Sequence, residues 1–284
     1  MPELPEVETI REDLKKRILH KKIQTLEMLD KHAGDAEMVK AISGNSIKDI
    51  ERYGKLLIFV LKKQDNFLLI HLKMTGRLIY QMKSCVVAGG HAQNEKDIQN
   101  LPNSHTRDIF HFTDGTKLFF NDIRRFGYIK LVNKEEKEKV VAKYGIDPLD
   151  TKFNQQKLIE LAENKSGNIK TLLMNQKEIA GIGNIYADEI CFCAGVRPDR
   201  RVNSLKKVEL QKIADYAKKI LKLAIKHRGT SFSDYRDCEG RKGNYVKYLK
   251  VYGRTKEKCF VCGNQLKSLR VAGRGTVFCP KCQK

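Results

Sequence analysis

The first residues of the chain combine an amine with carboxylates in a pattern that could do covalent chemistry. The sequence opens Met-Pro-Glu-Leu-Pro-Glu, and because Pro2 is small we expect Met1 to be removed. An α-amino group titrates near ~7.7–8.0, well below a lysine side chain, so more of it is an unprotonated nucleophile at neutral pH. A secondary amine that adds to a carbon electrophile leaves a cationic iminium that promotes elimination, and Glu3 could move the protons. The alternative is a simple helix start, with Pro5 in the first turn and acidic residues complementing the helix dipole.

Four of the eight cysteines form the clearest metal-binding pattern in the chain. Cys259 and Cys262 form one Cys-x-x-Cys knuckle, Cys279 and Cys282 form a second, and sixteen residues separate the two. This spacing is typical of four-thiolate zinc sites, whose closed tetrahedral set leaves no coordination position for catalysis. The sequence therefore predicts one structural Zn²⁺.

The residues between the two knuckles predict a small basic β-ribbon. Val271 and Phe278 are candidates for its packing residues, while Lys267, Arg270 and Arg274 supply positive charge. A solvated face would explain each basic residue taken singly. Because the metal fixes the shape of the ribbon and the whole chain is basic, we expect Arg274 to contact phosphate.

The composition indicates a polyanionic partner. The 284 residues include 55 Lys and Arg against 34 Asp and Glu, which gives a net charge of +21, and nucleic acid is the first candidate. No apolar run approaches the ~20 residues that span a bilayer, and the acidic start resembles neither a signal nor a transit peptide. We therefore expect a protein of the cytoplasm that does not interact with membranes.

The N-terminal half predicts one helix followed by a β-sandwich or barrel. Apolar residues at three- and four-residue spacing from Leu4 to Ile18 indicate the helix. We predict a polar, glycine-containing connection from 29 to 46 and a surface loop over 82–104. Extended segments are predicted at Lys22–Met28, Ile47–Tyr53, Lys55–Leu61, Phe67–His71, Leu78–Gln81 and Tyr128–Val132, with a hairpin over Ile109–Phe120 about Asp114-Gly115.

The C-terminal half predicts helices before the ribbon. The turn at Gly145–Leu149 marks the domain boundary, and Ser204 is a candidate cap for a long amphipathic helix that ends at His227-Arg228-Gly229. Residues 230–247 read as a loop. Shorter helices are predicted over Phe153–Glu163, Ile169–Asn175 and Ile179–Ile190, the last of them interrupted by Gly181-Ile182-Gly183.

Three separated blocks together resemble the bacterial formamidopyrimidine-DNA glycosylase family. They are the Pro-Glu-Leu-Pro-Glu-Val-Glu-Thr start, Gly-Ile-Gly-Asn-Ile-Tyr-Ala at 181–187, and the ribbon that ends Gly-Thr-Val-Phe-Cys-Pro-Lys-Cys-Gln at 275–283. The resemblance implies an α+β multidomain fold: an N-terminal β-sandwich with a leading helix, a helix-two-turns-helix domain and a C-terminal β-ribbon zinc finger. It also implies excision of oxidised purines from DNA and cleavage of the resulting abasic site by β,δ-elimination.

The resemblance assigns chemical roles to four residues. Pro2 matches the family's nucleophile, Glu3 its acid and Lys55 its lysine that assists at the abasic site. Arg274 matches the ribbon arginine near the phosphates of the lesion. Glu6 matches a further acidic position near the site.

The resemblance also assigns DNA contacts. Met74, Arg124 and Phe126 match the trio that fills the gap left by an extruded nucleotide, and enzymes that act on a base must take it out of the stack. His105, Lys165 and Asn184 match contacts to the DNA backbone. For Asn184 the flanking Gly181 and Gly183 also permit close approach of backbone amides to phosphate at a helix start.

The predicted domains are residues 1–133, the catalytic β-sandwich; 134–147, a linker; 148–246, the helix-two-turns-helix domain with a loop that covers the lesion base; and 247–284, the zinc ribbon. We expect a monomer that binds damaged double-stranded DNA, associated with the bacterial nucleoid. Lys73, where the family commonly has glycine, and the charged loop 230–245 leave the preferred lesion open.

Two other readings remain at this stage. One is the related endonuclease VIII type, which acts on oxidised pyrimidines but usually opens Pro-Glu-Gly-Pro-Glu, whereas this chain has Leu4. The other is a non-catalytic DNA-binding relative, which Pro2, Glu3 and Lys55 argue against.

Overall fold

The computed structural model describes residues 1–30, 35–63, 65–82, 85–89, 100–230 and 244–284. It divides into two compact units. Unit 1 contains Met1–Ala142 and His227–Val246, and unit 2 contains Lys143–Lys226 and Lys247–Lys284. No helix in the described ranges is both long enough and apolar enough to cross a membrane.

Unit 1 begins with helix α1 (Leu4–Ile18), as the sequence predicts. Pro5 lies in its first turn, Glu6 near its positive end, and basic residues in its last turn, all of which suit the helix dipole. The residues at the predicted three- and four-residue spacing are buried against the two sheets of the unit. Packing of this stripe therefore fixes the position of the chain start.

The body of unit 1 is a two-sheet sandwich of antiparallel strands. The five-stranded sheet contains, in spatial order, β1 (Ile23–Met28), β7 (Thr106–Phe112), β8 (Lys117–Asp122), β5 (Gly76–Met82) and β6 (Cys85–Gly89). The four-stranded sheet contains β2 (Ile47–Tyr53), β3 (Leu56–Leu61), β4 (Phe67–His71) and β9 (Tyr128–Val132). One apolar core contains side chains from both sheets.

Three elements of unit 1 differ from the sequence expectations. A helix, α2 (Asp35–Ile42), lies where we predicted only a polar connection, and the predicted linker contains helix α3 (Lys134–Val141). The expectation of a single helix in this half is therefore wrong. Strand β6 lies inside the predicted 82–104 loop because it completes the edge of the sheet beside β5, and residues 83–84 and 90–99 lie outside the described ranges.

Unit 2 begins with four helices. They are α4 (Gln155–Ala162), α5 (Ile169–Met174), α6 (Asn184–Ala194) and α7 (Lys207–Lys226). Ser204 does not cap α7, because it ends a 3₁₀ turn (Val202–Ser204) and its hydroxyl donates to the carbonyl of Arg201. Helix α6 begins three residues after Gly181, whose φ of +101° is a conformation that favours glycine.

The C-terminal ribbon of unit 2 pairs β10 (Lys267–Val271) with β11 (Arg274–Phe278). Ala272 and Gly273 between them both have positive φ, as a two-residue hairpin turn requires. Val271 and Phe278 are buried, which confirms the predicted packing residues. The backbone amides of Lys250, Val251 and Tyr252 all donate to the buried Glu189 carboxylate, so the segment leading to the ribbon is held on α6.

A buried ion pair joins the ribbon to the helices of unit 2. Lys170 on α5 lies 2.6 Å from Asp188 on α6, with side chains 1% and 0% exposed. Lys170 also donates to the hydroxyl of Thr276, and Asp188 accepts from the amide of Val277. Burial raises the pKa of Asp188 to about 6, and the Lys170 ammonium opposes this shift.

We predict that Lys170→Met lowers the free energy of unfolding by about 3–5 kcal/mol, because it leaves a carboxylate buried without its cation. The double variant Lys170→Met/Asp188→Asn should recover much of this loss, since no charge remains buried. Urea denaturation measures both. Lys157→Met, which removes the exposed Lys157–Glu160 pair, is the matched control and should cost at most about 1 kcal/mol. A Lys170→Met protein as stable as the parent would contradict the prediction.

Candidate functional site

The N-terminal amine of unit 1 lies in a partly buried, charged setting. Pro2 and Glu3 are buried, whereas Met1 is 43% exposed. Burial lowers the pKa of the Met1 α-amino group below its ordinary value; the Glu3 and Glu6 carboxylates oppose the shift, and the Lys55 ammonium adds to it. The α-amino group of the chain start therefore lies within electrostatic range of Glu3 and Lys55. Removal of Met1 would transfer the free amine to Pro2.

Glu6 holds this start in place through its two carboxylate oxygens. One oxygen accepts from the amide of Glu3 at 2.9 Å, across the first turn of α1. The other accepts from the amide and hydroxyl of Thr230, at 2.8 and 3.0 Å. Gly229 has a φ of +78°, and a Cβ there would lie 2.6 Å from the same Glu6 oxygen. The sequence indicated an acid near the site but not this contact with residues 229–230.

Lys55 occupies a two-residue turn that α1 also helps to hold. Gly54 and Lys55 connect β2 to β3, and Gly54 has a φ of +55°. Arg52 donates to Glu8 on α1 at 2.6 Å and to the carbonyl of Gly54 at 2.9 Å. Burial favours a higher pKa for Glu8, but hydrogen bonds from Arg11 and Arg52 outweigh it and lower the pKa. Glu8 and Arg52 thus fix the Lys55 turn to the helix that carries the amine.

His71 is a neighbour of this site that the sequence reasoning did not single out. It pairs across the sheet with Leu56, the residue after Lys55. Burial lowers the pKa of His71 to about 3, and Lys73 and Lys55 add to the shift, so the imidazole is neutral at physiological pH. Its Nδ1 accepts from the amide of Lys73 at 2.9 Å. The one sequence feature that could have indicated His71 is its position three residues before Met74, in the segment His71-Leu72-Lys73-Met74.

The proposed trio of Met74, Arg124 and Phe126 forms one exposed cluster. Met74 is 39% and Phe126 52% exposed. The Arg124 guanidinium lies 4.6 Å from the centre of the Phe126 ring and donates to the Met74 sulfur at 3.0 Å. The structure thus brings together three side chains from two loops, and the flat faces of two of them can stack on bases.

The remaining DNA contacts inferred from the resemblance lie at separate places. His105 precedes β7 in unit 1, and its carbonyl accepts from the amide of Asp122 at 2.8 Å. In unit 2, Lys165 pairs with Glu178 at 2.6 Å. Asn184 donates to the carbonyl of Gly275 at 3.1 Å, which places the start of α6 beside Arg274. Arg274 is exposed at the ribbon turn.

The four predicted cysteine ligands converge at the end of unit 2. Their sulfur atoms all lie within 4.8 Å of one another. The Cys259–Cys282 distance is 3.9 Å and the Cys262–Cys279 distance is 3.4 Å, against about 3.8 Å between ligands of a tetrahedral Zn–S₄ site with bonds of about 2.3 Å. The donor set therefore fits one Zn²⁺.

Family models match most of the chain. The formamidopyrimidine-DNA glycosylase N-terminal domain matches residues 1–129, and the formamidopyrimidine-DNA glycosylase H2TH domain matches residues 144–236. A zinc finger found in FPG and IleRS matches residues 256–284.

Individual relatives match over the full length of the chain. Formamidopyrimidine-DNA glycosylases of Desulfitobacterium hafniense and Listeria monocytogenes are 40% and 38% identical, and both alignments cover 100% of each sequence. A Lactococcus lactis Fpg in complex with an abasic site containing DNA is 32% identical, with a TM-score of 0.87 and 99% of both chains covered. The same protein with N7-benzyl-Fapy-dG containing DNA is 32% identical, with a TM-score of 0.87 over 100% of both chains.

We predict that metal removal by a strong chelator disrupts the ribbon, because the apolar cluster around the four thiolates is small and the ion supplies much of the stability of such a module. Elemental analysis should give one zinc ion per chain for the unmodified protein and less than one for the Cys279→Ser variant. Cys191→Ser, which changes a buried thiol of α6 outside the four-sulfur cluster, is the matched control. A chain that retains its ribbon structure and duplex-DNA affinity without metal would contradict the prediction.

Proposed function

We infer the chemistry of individual residues from the premise that this chain belongs to the formamidopyrimidine-DNA glycosylase family. The protein is a DNA glycosylase and abasic-site lyase of base-excision repair, and it removes oxidised purines from duplex DNA. The observation that supports the residue assignments is the partly buried chain start: Pro2 and Glu3 are buried, and the charges of Glu3 and Lys55 act on the α-amino group of Met1. The net charge of +21 supports binding to the phosphate backbone.

The proposed first step is attack of the Pro2 nitrogen on C1′ of the damaged nucleotide. A new bond forms between the Pro2 nitrogen and C1′, the C1′–base bond breaks with its electron pair going to the base, and the proton lost from the Pro2 nitrogen neutralises the departing base. The C1′–O4′ bond then breaks with its electron pair going to the ring oxygen, and the nitrogen lone pair forms the iminium that keeps the opened sugar attached. Glu3 donates a proton to the sugar ring oxygen as the ring opens. Burial lowers the pKa of the Met1 α-amino group, and we infer that the same setting favours the neutral, nucleophilic form of the Pro2 amine once Met1 is removed.

Strand cleavage follows from the iminium. Loss of a C2′ proton gives an enamine that expels the 3′ phosphate, and a second elimination expels the 5′ phosphate. We assign proton transfer in these steps to Lys55, and binding of the departing phosphates to Arg274. Cys259, Cys262, Cys279 and Cys282 would hold one zinc ion, which would stabilise the ribbon that carries Arg274.

Met74, Arg124 and Phe126 fill the space left when the damaged nucleotide leaves the helix. An aromatic ring and a thioether replace lost stacking, and the guanidinium can bond the unpaired partner base. His105, Lys165 and Asn184 contact the phosphate backbone. We place the protein in the bacterial cytoplasm, bound to the nucleoid as a monomer.

Our first functional prediction concerns the covalent intermediate. Borohydride should reduce the iminium to a stable protein–DNA adduct. Pro2→Gly should lower adduct formation while duplex binding persists, because the primary amine of a glycine start forms an imine without the permanent charge of the proline iminium. Gel electrophoresis measures adduct formation, and fluorescence anisotropy measures duplex binding. Pro5→Ala, which changes a proline in the first turn of α1, is the control and should react like the parent. Chains that retain Met1 by intact mass should bind without cutting, because their Pro2 nitrogen is an amide.

The second functional prediction concerns the substrate. Under single-turnover conditions, 8-oxoguanine opposite cytosine should be excised faster than thymine glycol opposite adenine. Mass spectrometry of the cleaved strands should show phosphate at both ends of the gap, as β,δ-elimination requires. Faster excision of thymine glycol would instead support the endonuclease VIII type of specificity.

A further inference from the structure

Asp122 is a buried carboxylate at the base of the exposed trio. It ends β8, is 1% exposed, and stands two residues before Arg124. Its Oδ1 accepts from the amide of Arg124 at 3.2 Å, and its Oδ2 accepts from the amide of Gly127 at 2.6 Å. The carboxylate therefore fixes both ends of the loop that carries Arg124 and Phe126.

Thr75 connects the same carboxylate to the second loop of the trio. Its hydroxyl donates to Asp122 Oδ1 and accepts from the amide of Arg124 at 3.1 Å. Thr75 is the residue after Met74, so one side chain couples the backbones of both loops. The next residue, Gly76, pairs with Asp122 in the β5–β8 ladder, which sets the register of the two loops.

Close packing leaves this arrangement few alternatives. A Cβ on Gly127 would lie 2.7 Å from the Phe120 ring, 3.0 Å from the carbonyl of His71 and 3.1 Å from Asp122. A Cβ on Gly76 would lie 2.4 Å from the carbonyl of Leu72. Both glycines are therefore required by the close approach of backbone and side chains around the carboxylate.

The loops fixed by Asp122 also hold the side chains of Met74, Arg124 and Phe126 in contact with one another. Met74 and Phe126 are exposed, yet the Arg124 guanidinium lies between them, 3.0 Å from the Met74 sulfur and 4.6 Å from the ring centre. Side chains held in this way lose less conformational freedom when they enter a duplex than free ones do. Extrusion must already overcome the cost of unstacking a base step.

We propose that Asp122, acting through Thr75, is a positioning residue that preassembles the Met74, Arg124 and Phe126 wedge for nucleotide extrusion. This inference rests on the function proposed above for those three residues. It predicts a specific defect: loss of the Thr75–Asp122 contact slows extrusion and leaves the chemistry of an already accessible sugar intact.

The main test compares Thr75→Val with Thr75→Ser, because only serine retains the hydroxyl. Thr116→Val is the matched control: Thr116 likewise donates to an aspartate, Asp114, but in the hairpin turn at the other end of β8. Stopped-flow fluorescence of 2-aminopurine beside a tetrahydrofuran abasic analogue in duplex DNA measures extrusion without any bond cleavage. Thr75→Val should slow extrusion by roughly tenfold, whereas the Thr75→Ser and Thr116→Val variants should match the parent.

A second readout separates positioning from general damage to the fold. Borohydride trapping on a single-stranded oligonucleotide with an abasic site needs no extrusion, so the rate for Thr75→Val should equal that of the parent. The proposal would be overturned if Thr75→Val lowered the trapping rate equally on single-stranded and duplex DNA. It would also be overturned if Thr75→Val left the extrusion rate unchanged.

Asp122→Asn gives a stronger version of the same test. The amide keeps the shape of the carboxylate but turns an NH₂ group towards one of its former donors, so extrusion should slow by roughly 10- to 100-fold. Thermal unfolding checks that the chain is folded. Normal extrusion by the folded Asp122→Asn protein would overturn the proposal.

The proposal can also be separated from the Pro2 mechanism. If the unmodified protein extrudes the nucleotide normally but forms no adduct, the Pro2 mechanism fails and the positioning role of Asp122 stands.

Discussion

A carboxylate removed from water must accept hydrogen bonds, and this constraint organises both units of the protein. Glu6 and Asp122 in unit 1, and Asp188 and Glu189 in unit 2, are each at most 7% exposed. An isolated buried charge is very costly, so the donors around each carboxylate are held in place. The donors to Glu6, Asp122 and Glu189 include backbone amides of loops or of the chain start, whereas Asp188 is paired with Lys170 on α5 and accepts from Val277 on β11.

The two carboxylates of unit 1 hold two different parts of the proposed site. Glu6 accepts hydrogen bonds from the Glu3 amide and from Thr230, and so fixes the chain start, where we propose the nucleophile. Asp122 fixes the loops that carry the proposed wedge. The reacting and stacking groups can therefore remain reachable while their backbones are rigid, which is what positioning a substrate for catalysis requires. Burial also lowers the pKa of the Met1 α-amino group.

The elements that the sequence predicted correctly are those with local signals. Helix α1 has a continuous apolar stripe, the β7–β8 hairpin has Asp114-Gly115 at its turn, and the cysteine knuckles have metal-ligand spacing. The incorrect predictions of secondary structure and capping concern segments whose conformation depends on tertiary contacts. Helix α2 has a mixed composition, β6 gains its partner only from the edge of the sheet, and Ser204 is diverted into a 3₁₀ turn.

The sequence by itself determined the proline and carboxylates at the chain start, the four thiolates, the basic charge and, through three ordered motifs, the family. Each of these is a property of residue type or short spacing, which does not change on folding. Only the tertiary structure showed that Glu6 holds Thr230, 224 positions away, and that Asp122 holds Thr75, 47 positions away. Such pairings depend on the register of strands and the packing of α1, and no local pattern encodes which buried carboxylate will meet which donor.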